Sequence, residues 1–125
     1  MKFTEMLAIQ PYSLNKREKS VLLTEGLSDL TRLHYKACEP YHNILDALAF
    51  DFGYISTYAD IPFLPVRLFK ELDLLSVSRD EIVKTMTSSG TTGQGVSKIC
   101  LDRETSANQT KVLTKIVSSF FGGKR

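Results

Sequence analysis

The stretch Thr87-Ser88-Ser89-Gly90-Thr91-Thr92-Gly93-Gln94-Gly95-Val96-Ser97-Lys98 decides how this chain is read. Three of the chain's seven glycines fall in it, beside six hydroxyl side chains, and it closes on a lysine. Strand-like apolar residues flank it, with Ile82, Val83 and Met86 before and Ile99, Cys100 and Leu101 after. A Gly/Ser/Thr loop held between two strands can turn backbone N–H groups toward one point. Such a concavity binds anions, and a lysine at its rim adds positive charge. Hydroxyl groups add further hydrogen bonds to phosphate oxygens.

Two standard phosphate patterns nearly fit, and both fail. Gly90 and Gly95 have the spacing of G-x-x-x-x-G-K-[ST], but Val96 stands in the lysine's place and no helix-like segment follows directly. Gly93 and Gly95 begin G-x-G-x-x-G, which meets Lys98 at its third glycine. The competing reading is a flexible hairpin connection.

Working outward, the chain has 125 residues, room for a single domain with a core, over residues 1–125. Hydrophobic residues make up 42% and charged ones 24%, an ordinary globular balance. The net charge of +2, with acids and bases interspersed, leaves no footprint for nucleic acid or an anionic membrane. No apolar run approaches the roughly 20 residues needed to span a bilayer. Met1–Met6 lacks a signal-peptide layout. Cys38 and Cys100 make no disulfide framework, so the chain reads as cytoplasmic with reduced thiols.

Local patterns predict an α+β fold: N-terminal helices, a small antiparallel meander carrying the loop, and a C-terminal packing helix. Ser13 is a helix N-cap candidate, and Leu23, Leu27, Leu30, His34 and Ala37 form a stripe that Leu33 widens. Gly26 weakens that helix by ~1 kcal/mol relative to alanine. Pro40 ends it and opens a shorter helix through Ile44, Leu45 and Leu48. Phe50, Phe52, Tyr54, Ile55 and Tyr58 read as core. Pro62 and Pro65 force extended backbone before a short helix at Val66–Leu72, whose Arg67 and Lys70 point to solvent. Leu74–Val77, Ile82–Thr87 and Val96–Leu101 are the expected strands. Asp102 caps a last helix running to about Phe121, with Leu113, Ile116, Val117 and Phe120 as its buried stripe and Lys111 and Lys115 in solvent. His34 and His42 lack partners at metal-ligand spacing, and His34 reads as a hydrogen-bonded core residue.

Thr-Ser-Ser-Gly-Thr-Thr-Gly followed by a lysine resembles the phosphate-gripping loop of the adenylate-forming enzymes. The doubled serine, the following Asp102-Arg103, and Ile61-Pro62-Phe63-Leu64-Pro65-Val66-Arg67-Leu68-Phe69-Lys70 narrow the resemblance to LuxE-type acyl-protein synthetases, from about Tyr12 to the end. The resemblance implies ATP-dependent activation of a fatty carboxylate as an acyl-adenylate, then transfer to a protein thiol. It implies ATP, with Mg2+, as cofactor, held by Thr87, Ser88, Ser89, Gly90, Thr91, Thr92, Gly93 and Lys98. Gln94-Gly95-Val96-Ser97 makes the interval to Lys98 longer than the related Gly-x-Pro-Lys ending. Adenylate-forming enzymes are several times longer, so the expectation is an N-terminal fragment that supplies no catalytic residue of its own and is inactive alone. Implied partners are an acyl substrate and an acyl carrier or acyltransferase/reductase partner, with dimerisation through apolar surface exposed by truncation. The alternative is a stand-alone binding or scaffold domain with a degenerate phosphate loop.

Overall fold

In a computed structural model, residues 3–88 and 95–122 are described. Their order is α1 (Phe3–Leu7), α2 (Lys16–Ala37), α3 (Glu39–Ala47), α4 (Leu68–Glu71), β1 (Ile82–Thr87), β2 (Lys98–Asp102) and α5 (Arg103–Phe121). Three short 3-10 turns, at Phe52–Tyr54, Tyr58–Asp60 and Arg79–Glu81, punctuate the linkers. The fold is α+β, with the long helix α5 and the short α4 against a two-stranded antiparallel sheet, and α2 packed on α3.

Helix α2 begins at a reciprocal cap. Asn15 Oδ1 accepts from the Glu18 amide at 2.9 Å, and the Glu18 carboxylate accepts from the Asn15 amide at 2.9 Å. Ser13, the expected cap, instead closes the preceding turn by donating its hydroxyl to Gln10 O. The helix ends ahead of Pro40, which lies in the first turn of α3.

The packed face of α2 differs from the expected stripe. Leu30 and Leu33 are exposed, whereas Thr31 is buried and Thr24 half-buried. The reason is local: Thr24 and Thr31 donate their hydroxyls to the Ser20 and Leu27 carbonyls, one turn back, at 2.7 and 2.6 Å. Their polar atoms are thereby satisfied, and their small size admits close neighbours. Cys38 and Leu45, both buried, complete this core where α3 meets α2. Phe50 and Phe52 pack edge to face at 5.0 Å, but Tyr54 and Tyr58 are exposed, so the aromatic cluster is core only in part.

Leu74–Val77 is not a strand. The segment bends at Ser76 and Val77, and its half-buried residues pack without a ladder partner, so the expected meander is a hairpin of β1 and β2. The register pairs Thr87 with Lys98, Met86 with Ile99 and Thr85 with Cys100, with an irregularity between Ile82 and Lys84. Asp102 ends β2 and caps α5 by accepting from the Thr105 amide at 2.8 Å. Helix α5 stops at Gly122, whose φ of 80° is the left-handed conformation that favours glycine.

Helix α5 packs on both strands, and Leu101 is buried. Its inward face matches the expected stripe only at Ile116. Val112, Lys115 and Ile116 are partly buried, while Leu113, Val117, Phe120 and Phe121 are exposed. Lys115, expected in solvent, donates to the Leu7 carbonyl at the end of α1. Cys38 and Cys100 are free thiols. Among the described residues, no helix is long and apolar enough to cross a membrane.

Candidate phosphate-binding loop

The hairpin places both ends of the Gly/Ser/Thr stretch side by side. Thr87 and Lys98 are direct cross-strand partners, and both are exposed. Side chains directly opposite in an antiparallel pair share one face, with Cβ atoms about 5 Å apart. A hydroxyl and an ammonium therefore stand together where the loop leaves the sheet. Beyond them, the Ser88 amide donates to Ser97 O at 3.1 Å, and the Ser97 amide donates to Ser88 Oγ at 3.0 Å.

This closure corrects part of the sequence reading. The amides of Ser88 and Ser97 are spent on each other's residue, so neither is a donor for a bound anion. The Ser88 oxygen is occupied as an acceptor, but its own proton remains to be donated. Gly95 is exposed, and a Cβ there would meet nothing within 4 Å, so crowding does not explain that glycine. Ser89, Gly90, Thr91, Thr92 and Gly93, named above as phosphate-contacting residues, lie outside the described residues, as does Gln94.

Among the described residues at this end of the hairpin, Thr87, Ser88 and Gly95–Lys98, there is no carboxylate. Hydroxyl donors and one ammonium suit a polyphosphate.

The second expected segment, around Pro62 and Pro65, is ordered. Residues 62–65 belong to no helix or strand, and Leu68 and Phe69 are half-buried. Arg67 Nε meets Glu71 Oε1 at 2.6 Å, an exposed pair one helical turn apart, so this guanidinium already has a carboxylate partner.

Two polar groupings went unnoticed in the sequence. His34 Nδ1 lies 2.6 Å from Ser76 Oγ, tying α2 to the bent segment before the hairpin. Partial burial lowers the pKa of His34, although its side chain is not the core residue expected. Across α2 and α3, Tyr35 donates to Asp46 Oδ1 at 2.6 Å, and His42 Nε2 meets Asp46 Oδ2 at 3.0 Å. The Asp46 hydrogen bond, with smaller contributions from burial and charge, raises the Tyr35 pKa. The i, i+4 spacing of His42 and Asp46 was the available signal.

A family model described as "Acyl-protein synthetase, LuxE" matches residues 4–125. The chain belongs to the LuxE family of acyl-protein synthetases. One curated relative, the long-chain-fatty-acid–luciferin-component ligase of Photorhabdus luminescens, is 40% identical over 65 residues. That match covers 52% of this chain and 55% of the relative, so it spans about half the length of each. No solved structure matches. The LuxE match takes in the loop, the Pro62/Pro65 segment and all five helices but the start of α1.

Proposed function

We propose that this LuxE chain carries the phosphate-gripping part of an ATP-dependent enzyme that activates a fatty carboxylate for transfer to a protein thiol. The observation that carries the reading is the strand–loop–strand of β1 and β2, closed by Ser88 and Ser97, inside a family match that spans the chain. The relative's printed name, a ligase of a long-chain fatty acid and a luciferin component, supports the same substrate class.

ATP would supply an electrophilic α-phosphorus: a carboxylate oxygen bonds to it, its bond to the bridging oxygen of the β-phosphate breaks, and pyrophosphate leaves with that electron pair. A thiolate then attacks the acyl carbon, forming a thioester and releasing AMP. Carboxylate and triphosphate repel each other, so the protein must offset charge and fix alignment. Thr87 and Ser88 donate hydroxyl protons toward the β- and γ-phosphate oxygens, and Lys98 supplies the positive charge. By the resemblance of the sequence, Ser89, Gly90, Thr91, Thr92 and Gly93 would belong to the same phosphate-binding set. Mg2+ would travel with the phosphates.

The test is pyrophosphate release by the natural protein that contains this sequence, with tetradecanoate and Mg·ATP supplied together and singly. The reading expects release only when both are present. Release independent of fatty acid, or none with any acyl chain, contradicts it and favours a binding or scaffold role.

A further inference from the structure

We propose that the cavity between α1, the linker at residues 8–15, the start of α2 and the second half of α5 is a binding site for the acyl chain of a long-chain carboxylate. The inference rests on the acyl-activating reading above and adds a place for the substrate, away from the phosphate loop.

The cavity has a volume of about 340 Å3. That is within the range of small-molecule sites, roughly 300–1,000 Å3. Its walls are apolar: Met6, Ile9, Leu14, Leu22, Val112 and Ile116. Two cations, Lys19 and Lys115, also line it. Lys115 is partly buried and donates to the Leu7 carbonyl, which uses one of its three N–H bonds. The other two can face a ligand. An apolar hollow with ammonium groups is complementary to a hydrocarbon chain that ends in a carboxylate.

The linker that lines the cavity is held in an unusual shape. Tyr12 adopts φ 62°, the left-handed region that a tyrosine rarely occupies. The Ser13 amide and hydroxyl both donate to Gln10 O, fixing that turn in the cavity wall. Residues in such conformations persist where their surroundings over-determine them, and they cluster at ligand sites.

The position also fits. Gln109 of α5 touches Met86, next to the last residue of β1, at 3.5 Å. Val112 to Ile116 lie three to seven residues further along α5, which is roughly 5–10 Å of helix rise. The cavity therefore sits at the end of the hairpin from which the loop emerges, not at its Asp102 end.

The experiment uses the natural protein that contains this sequence, with methyl-labelled Met, Ile, Leu and Val, titrated by NMR with dodecanoate and no nucleotide. The inference expects intermolecular contacts to the methyls of Met6, Leu22, Val112 and Ile116. Contacts to the exposed Leu113 and Val117 face instead, or no contact at all, would overturn it. Ile116→Trp, which fills the hollow, should weaken dodecanoate binding roughly tenfold or more, while Leu113→Trp on the exposed side leaves it unchanged. Equal weakening by both would also overturn it. Dodecanol separates charge from chain: the wild type should prefer dodecanoate, and Lys115→Met should shrink that preference. An unchanged preference in Lys115→Met removes the lysine's part. The failures are separable: dodecanoate in the cavity with no fatty-acid-dependent pyrophosphate release keeps the site and removes the activating reading. Pyrophosphate release without cavity binding does the reverse.

Discussion

Ser88 and Ser97 close the hairpin by a two-way exchange, the Ser88 amide to Ser97 O and the Ser97 amide to Ser88 Oγ. Ser97 is buried, with 8% of its surface exposed, so its amide has no ready substitute in water. Ser88→Ala should cost about 1–3 kcal/mol, the penalty of a buried donor left without a partner. Urea denaturation measures it. A loss within 0.3 kcal/mol would mean that the exchange does not hold the loop's base, on a scale where even surface changes stay within about 0.5 kcal/mol.

Asp102 joins β2 to α5 through its carboxylate. Hydrogen bonds donated by the Thr105 side chain and backbone amide hold the Asp102 carboxyl below its usual pKa of 3.8. A depressed folded value means that this stabilisation is present above the unfolded pKa and is lost as pH falls through the folded one. Asp102→Ala should cost about 1 kcal/mol at pH 7, with the gap between variant and wild type closing in strong acid. Thermal melts at pH 7 and pH 2.5 check both parts.

His34 runs the opposite way. Burial lowers its pKa from 6.5, so the folded state resists protonation. For a histidine with a depressed folded value, stability is full above the unfolded pKa and declines as pH falls from about 6.5 toward the folded value. The imidazole should therefore titrate by NMR with a midpoint below 6.5, and stability should be lower at pH 5.5 than at 7.5. A midpoint at or above 6.5 contradicts this.

Gly26 stands in the middle of α2 with room to spare. A Cβ there would meet Met6 Sδ and Cε at 3.6 Å, an ordinary contact. Gly26→Ala should stabilise the chain by up to about 1 kcal/mol, a rise in Tm of about 4 °C. A fall in Tm would show that α1 cannot yield at Met6.

Much of this architecture was legible where a single residue carries a local rule. Pro40 separated α2 from α3, and Asp102 marked the start of α5. Strand β1 matched its expected span, Ile82–Thr87. What was misread depends on neighbours. Leu74–Val77 has strand composition but no ladder partner. In α5, Val112, Leu113, Ile116, Val117, Phe120 and Phe121 make two adjacent apolar stripes, and periodicity cannot say which one turns inward. In α2 the hydrophobic stripe drew attention from Thr31, whose hydroxyl is satisfied within its own helix. At the loop, Thr87 and Lys98 were legible as a pair of ends. The loss of the Ser88 and Ser97 amides was not, because it follows from the hairpin's register.

The central claim is that this loop holds the terminal phosphates of a nucleotide during fatty-acid activation. Fatty-acid-dependent ATP–pyrophosphate exchange tests it most directly, in the natural protein containing this sequence, with Gly90→Ala and Lys98→Ala compared with Lys111→Ala. The account predicts exchange falling about 100-fold in the two loop variants, a loss of roughly 3 kcal/mol of transition-state stabilisation through lost charge in Lys98→Ala and through a crowded phosphate approach in Gly90→Ala, and no change in Lys111→Ala, which stands in solvent. Full exchange in both Gly90→Ala and Lys98→Ala would contradict it.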